Sequence, residues 1–463
     1  MMQGDILTVA ITGINSEGEG IARTGEDGFV LFVPGVLPGE EAEVRIVSKK
    51  KNYAVAKVLR MLNDSPFRRA PRCPSFGRCG GCSLQHLSYN SQLLLKKDTL
   101  RASIERIGGI KEPQIFDCVP SPSEWHYRNK AAIPVQSAAV DSIRAGFYKI
   151  RSHDIVPYSD CAIASREINE KTAAILSALR TSGLHGVREN GTNGSRNVIR
   201  HIVLRKARFT EDMLCAVICA RQLSAAEINL LRKALAGVEG LSGAVCNINT
   251  SSGNFIWGQK SIRLFGRETM REKLGKYEFK FEASSFFQVN PEQTLNLYNY
   301  AASLALEDSP SKILELYSGT GSMTVFLASG GAEVTAVESW DPAARYIAEN
   351  AALNGIKNIT PVTARSEDMI HSLSGQYFNA VVLDPPRTGC DEKVIEAISA
   401  MKAERIIYVS CNPATLARDI KRLAENEYRF VHAKPFDMFP QTGHVETVAL
   451  LCRKPERRLD ISR

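Results

Sequence analysis

The chain has 463 residues, 44% of them hydrophobic and 23% charged, and carries a formal net charge of +8. That length is too great for one hydrophobic core, and the composition is that of a soluble globular protein of two or three domains. The longest apolar runs, such as Met213 to Ala220, cannot span a bilayer, and Met1 to Gly13 alternates like a strand around Asp5 rather than forming a leader, so a cytoplasmic protein without membrane association is expected.

Short alternating runs open the chain at Ile6 to Ile11, Phe29 to Val33, Ala42 to Val47 and Tyr53 to Leu59, separated by glycine and Pro-Gly turns; this spacing predicts a small N-terminal β-barrel. Charge changes sharply along it. Residues 1 to 44 hold eight acids against Arg23, whereas residues 45 to 72 hold nine bases against Asp64, enough for a phosphate-attracting surface. Pro66 and Pro71 mark a linker, which puts a boundary at 1–66.

Cys73, Cys79 and Cys82 follow, with five and then two residues between them and glycines interposed. In a reducing compartment such clustering points to a metal centre rather than to disulfides. Zinc and an iron–sulfur cluster both suit thiolates, and Cys118 and Cys161 compete as fourth ligand. Leu93, Leu100, Ile104 and Ile107 predict a helix over 88–107. From about 130 to 285 the pattern is strand-like with one helical interlude near 164–180, so 67–285 reads as a mixed α+β central domain. Its Arg196 to Arg208 stretch is either RNA-facing or a charged edge strand.

From residue 311 strands alternate with helices, the rhythm of a doubly wound parallel sheet, which makes 286–463 a Rossmann-like domain. The run Ile313 to Ser322 is a buried strand entering a turn with Gly319 and Gly321, and Glu338 at the next strand end can accept both hydroxyls of a ribose. Position 324 is Thr, so the third glycine of a dinucleotide fingerprint is missing, which favours S-adenosylmethionine over a nicotinamide cofactor. Asp384-Pro385-Pro386-Arg387 then forms a rigid corner of the kind nucleobase and amine methyltransferases favour. The next strand runs into Ser410-Cys411-Asn412-Pro413. A thiolate there could add to carbon 6 of a uracil and make carbon 5 nucleophilic toward a methyl sulfonium. The adduct must afterwards lose its carbon 5 proton, and Glu446, in the otherwise apolar run Val445 to Leu451, is the candidate base. The tail from Arg453 to Arg463 is expected to be disordered.

Together these motifs, with Ser285 to Asn290 and Gly443 to Glu446, resemble the bacterial RNA uracil-5 methyltransferases, specifically the 23S ribosomal RNA branch with an N-terminal TRAM domain and a [4Fe-4S] cluster. The resemblance implies that Cys411 is the nucleophile and Glu446 the base, and that Gln288, Tyr317, Gly319, Gly321, Glu338 and Asp384 line the S-adenosylmethionine site. It further implies that Cys161 joins Cys73, Cys79 and Cys82 on the cluster, that 45–72 is the RNA-facing edge of an OB-like TRAM barrel, and that 23S rRNA is the partner of a monomeric enzyme acting in rRNA processing. Ser318 and Ser322 depart from the family pattern. Three other readings stand beside this one: a transfer RNA uridine-5 methyltransferase, a methyltransferase of exocyclic amines, and a non-catalytic metal-containing RNA-binding protein. Amine chemistry has no use for Ser410 to Pro413, and a non-catalytic protein has none for Cys411 with Glu446.

Overall fold

Six strands build the N-terminal unit in a computed structural model that describes residues 2–455 apart from 26–27, 138–142, 189–195, 252, 254, 370–372 and 374. They are Ile6–Ala10, Gly13–Ile14, Glu19–Thr24, Phe29–Pro34, Glu41–Lys49 and Tyr53–Met61, joined in the order first, fifth, sixth, fourth, third, second. Alternate side chains, among them Val9, Leu31, Val33, Val44 and Ile46, fill its core. The strand Glu19–Thr24 was absent from the sequence reading because it faces the core with Gly20 and Ala22, too small to register as apolar alternation.

The central sheet runs Lys260–Gly266, Gly243–Ile248, Met213–Cys219, Asn197–Lys206, Lys130–Gln136, Arg144–Tyr148 and Ile155–Pro157, with His185–Gly186 paired beside Asn197–Lys206. Helices Arg166–Thr181 and Ala225–Ala236 pack into one core with it. The second helix was not foreseen, although Ser224 and Glu227 close a capping box at its start. Asn197–Lys206 lies inside the sheet, so it is not an edge strand. Arg205 is buried with its guanidinium 5.1 Å from the Phe281 ring centroid, Arg200 donates to the carbonyls of Asn249 and Ser251, and Lys206 donates to that of Thr210.

The C-terminal sheet has the order Ile359–Thr363, Glu333–Glu338, Lys312–Leu316, Ala380–Leu383, Arg405–Ser410, Glu446–Arg453, Tyr428–Phe436. Its first five strands are parallel, and Glu446–Arg453 runs antiparallel to both neighbours. The expected multidomain α/β architecture with a doubly wound C-terminal sheet is therefore observed. Strand order reverses between Lys312–Leu316 and Ala380–Leu383, the place where such sheets bind ligands beyond their carboxyl ends. Helix Tyr89–Arg106 does not stay with the central sheet. Its Leu100 and Ile104 share a core with Leu416, Ile420 and Ala433, and the chain after it adds backbone bridges from Ile115 to Ala433 and from Val119 to Phe436. The last strand runs to Arg453, where the disordered tail was expected to begin, and 456–463 lie outside the described residues. Among the described residues no helix is long and apolar enough to cross a membrane.

Candidate active site

Three turns at the carboxyl edge carry the predicted residues. Lys312–Leu316 ends in Tyr317, a non-glycine at φ +64°, followed by Gly319 at +57° and Gly321 at +77°. That left-handed run bends the chain back over the strand, and the Gly319 N–H donates to Glu338 Oε2 at 2.9 Å, closing the turn onto the second strand. At Gly321 a Cβ would stand 3.0 Å from the Ile347 Cα of helix Asp341–Leu353, which packs closely there and favours glycine together with the positive φ. Glu338 Oε1 accepts from Trp340 N at 2.7 Å, which holds the half-buried carboxylate at the strand end. Gln288 is buried, and Asn290 after it caps helix Pro291–Ala305.

The second turn follows Ala380–Leu383. Asp384 is partly buried, and burial pushes its carboxyl up to about 7. The third follows Arg405–Ser410. Ser410 Oγ accepts from Asn412 N at 3.1 Å, Asn412 caps helix Pro413–Glu425 through Ala414 N, and Asn412 Nδ2 donates to Arg387 O at 3.0 Å. Cys411 is thereby fixed between strand and helix, with its turn tied to the Asp384–Arg387 corner.

Register brings the acid to the thiol. Ser410 pairs with Thr447 across the antiparallel ladder, so the next residue, Cys411, faces Glu446, the first residue of its strand. The electrostatics report the same grouping. Burial raises the Cys411 thiol to about 11, helped by Glu446 and Asp384 and opposed by Arg387. Glu446 is 4% exposed, and burial, with Asp384 adding to it, holds its carboxyl far above the usual carboxylate range against the pull of Arg387. A buried carboxyl, a half-buried thiol, the Asp384 carboxyl and the exposed Arg387 guanidinium thus act on one another electrostatically, the kind of perturbed cluster found at functional sites.

The loop leading into Glu446 takes its supports from elsewhere in the chain. Lys96 and Asp437 form a fully buried ion pair, Lys96 Nζ also donates to Phe439 O at 3.1 Å, and Tyr127 Oη donates to Pro440 O at 3.0 Å. Gly443 N donates to Ser83 Oγ at 3.2 Å, and a Cβ on Gly443 would stand 1.7 Å from Ser16 O of the barrel, so barrel, cysteine segment and sheet meet at this loop.

Cys73, Cys79, Cys82 and Cys161 line one cavity, while Cys118 lies apart, beside Asp437 and Lys96. Among the described residues no three His, Cys, Asp or Glu side chains converge closely enough to hold a single metal ion. Of the nine bases in 45–72, Arg45, Lys49, Lys50, Lys51, Lys57, Arg60 and Arg72 are exposed, whereas Arg68 is spent on buried Glu40 and Arg69 on Glu124 and Gln441. The expected RNA-facing edge is correspondingly less basic than its sequence.

Several functional residues escaped the sequence reading. Gln92 and Lys96 are buried on the helix face that continues through Leu100 and Ile104, so a polar pair in register with an apolar stripe was the available signal. Glu315 is 1% exposed within the first strand, its carboxyl raised to about 8 by burial and by Asp384 and Glu338. The Thr324 hydroxyl counters this, at a geometry short of a hydrogen bond.

Residues 258–454 match the family described as tRNA (Uracil-5-)-methyltransferase, and residues 1–59 match the TRAM domain. An uncharacterized RNA methyltransferase of Halalkalibacterium halodurans is 36% identical over 97% of both chains, and one of Staphylococcus aureus is 35% identical over 97% of this chain and 98% of its own. The solved Pyrococcus abyssi tRNA (uracil-54, C5)-methyltransferase in complex with S-adenosyl-L-homocysteine superimposes with a TM-score of 0.77 at 26% identity, over 96% of this chain and all of that one.

Proposed function

Because the chain belongs to the S-adenosylmethionine-dependent RNA uracil-5 methyltransferase family, with a TRAM domain at its N-terminus, we propose that it methylates carbon 5 of a uridine in 23S ribosomal RNA through a covalent bond between Cys411 and carbon 6. Family membership makes the chain an enzyme, so the non-catalytic reading falls. The observation that carries the mechanism is the register that faces Cys411 with Glu446 beside the Asp384 corner.

The bound cofactor supplies an electrophilic methyl group on sulfonium. Glu338, which accepts from Gly319 N, would accept its ribose hydroxyls, and on the resemblance we assign Gln288, Tyr317, Gly321 and Asp384 to the same site. Cys411 must lose a proton before it attacks, and Asp384, with its carboxyl at about 7, is matched to exchange one near neutrality. After methyl transfer Glu446 removes the carbon 5 proton and Cys411 leaves. Burial suits Glu446 to that task, because a carboxylate kept out of water takes up a proton readily.

Cys73, Cys79, Cys82 and Cys161 line one cavity, and on the family resemblance we assign them to a [4Fe-4S] cluster, one thiolate per iron, rather than to zinc. No step of the reaction runs through them. An anaerobic preparation with a broad visible absorbance that bleaches in air is expected, and a colourless one containing zinc overturns the cluster.

A transfer RNA substrate is the second reading, favoured by the name of the solved relative. RNA containing 5-fluorouridine separates the mechanism from amine methylation, because fluorine at carbon 5 cannot leave as a proton and the adduct accumulates. Trapping by the parent and none by Cys411→Ala is expected, and equal trapping by both removes Cys411 from the mechanism. Mapping 5-methyluridine in ribosomal and transfer RNA of a strain lacking the protein identifies the substrate.

A further inference from the structure

Glu446 opens its strand at the end of both ladders, paired with Phe436 on one side, while on the other the pairing ends one residue later, at Thr447 with Ser410. Its other support is the loop 437–445, and the center of that loop is Gln441. This residue is fully buried at φ +72°, a conformation an L side chain adopts only when its surroundings impose it. Here they do. Gln441 Oε1 accepts from Arg69 Nη2 at 2.8 Å and from Gln92 Nε2 at 3.1 Å. Its backbone N–H donates to Gln92 Oε1 at 3.0 Å, and its carbonyl accepts from Ser83 N at 3.0 Å and Leu84 N at 2.9 Å. Gln92 is held in turn by the carbonyls of Leu84 and Leu87 at 3.0 and 2.9 Å. All of these partners lie between residues 69 and 92, in the linker, the cysteine segment and the first helix; the one side-chain contact beyond it is a long bond from Gln441 Nε2 to Glu124 Oε2 at 3.4 Å, on the carboxylate that also accepts from Arg69.

We propose that Gln441 is a positioning residue for the proton-abstracting carboxylate, and that the segment 69–92 is the template that sets where Glu446 stands. The inference rests on the reading of Cys411 as nucleophile and Glu446 as base. It separates the steps of that reaction. Addition uses Cys411, whose turn is built from Ser410, Asn412 and the Arg387 carbonyl, and methyl transfer uses the cofactor turn; neither contacts Gln441. Elimination is the step that uses Glu446, and so the step that Gln441 reaches most directly through the loop. In that step Glu446 takes the carbon 5 proton, the C–H electron pair becomes the double bond between carbons 5 and 6, and the carbon 6–sulfur pair returns to Cys411 as thiolate. A slack loop therefore stalls the enzyme after methylation, with the methylated RNA still bonded to Cys411.

The experiment uses the full chain with Gln441→Ala, Gln441→Gly and Gln92→Ala. RNA from a strain lacking the protein, methyl-labelled cofactor and a denaturing gel read the stalled adduct; RNA from the same strain grown on 5-fluorouracil reads addition. The variants are expected to accumulate methyl-labelled protein–RNA adduct on ordinary RNA about tenfold or more above the parent, a fraction of what a general base contributes, while trapping on fluorinated RNA is unchanged. Gln441→Gly relieves the backbone conformation and removes the amide, so its stalling assigns the effect to the amide. Variants that release product at the parent's rate overturn the inference, as do variants that lose trapping on both RNAs together, which would mark Gln441 as merely structural. A parent that traps no fluorinated RNA overturns the covalent reading itself.

Discussion

Gly319 and Glu338 close the cofactor turn with one hydrogen bond between neighbouring strands of the same sheet, whereas the loop that delivers Glu446 is held by Lys96, Tyr127, Gln92, Arg69 and Ser83, all from outside that sheet. The two halves of the site thus obey different rules. A doubly wound sheet makes its ligand turns from consecutive residues and needs no help to do so. The chemistry half places a buried carboxyl against a thiol, an arrangement that burial disfavours, and its geometry is imposed by polar anchors from other parts of the chain.

Substitutions can break this division in order of expected effect. Cys411→Ala lies at the top: methylation should fall by about a thousandfold or more, since the nucleophile has no substitute, while S-adenosylmethionine affinity by calorimetry stays unchanged. A comparable loss of cofactor binding would show that the halves are not separate. Glu446→Gln comes next, with turnover down by roughly a hundredfold to ten-thousandfold and adduct accumulating on unfluorinated RNA. On the cofactor half, Glu338→Ala removes a charged acceptor worth about 1.5–3 kcal/mol, so cofactor affinity should weaken by about ten- to a hundredfold with trapping of fluorinated RNA retained. If trapping disappears as well, the cofactor turn also shapes the nucleophile.

Acidity sharpens the comparison further. The Cys411 thiol sits at about 11 and Asp384, at about 7, takes its proton, so the initial rate of adduct formation should rise about tenfold per pH unit below 7 and level off above it; a rate still climbing about tenfold per unit between pH 7 and 9 would mean that the thiol ionises without Asp384. The smallest effect belongs to Glu315. Its carboxyl is held at about 8 in the fold against 4.5 outside it, so the folded state binds the proton more tightly, and stability present below 4.5 is lost as pH rises toward 8. Glu315→Gln mimics the protonated form and should raise Tm by about a few degrees at pH 8 and hardly at all at pH 4. A gain independent of pH would assign the effect to packing.

Much of this site could be read along the chain. Tyr317 to Gly321, Asp384 to Arg387 and Ser410 to Pro413 are each one strand end and the turn after it, so backbone geometry and chemistry sit in adjacent letters. The barrel was legible in four strands and hidden in Glu19–Thr24, where Gly20 and Ala22 meet the core without an apolar pattern. Basicity misled where it was internal: Arg205 is buried against Phe281, Arg68 and Arg69 serve the barrel and the base loop, and nothing in their spacing distinguishes them from exposed Lys50 or Lys57.

The sequence by itself determined the chemistry available, namely a cofactor turn, a thiol after a parallel strand and an acid in an apolar run, because each is a local pattern with a local physical cause. Only the tertiary structure decided how the acid is aimed. Gln92 meets Gln441 across 349 positions and Lys96 meets Asp437 across 341, and such pairs of buried polar groups leave no periodicity in a chain. They become visible once folding has removed the water that would otherwise satisfy them.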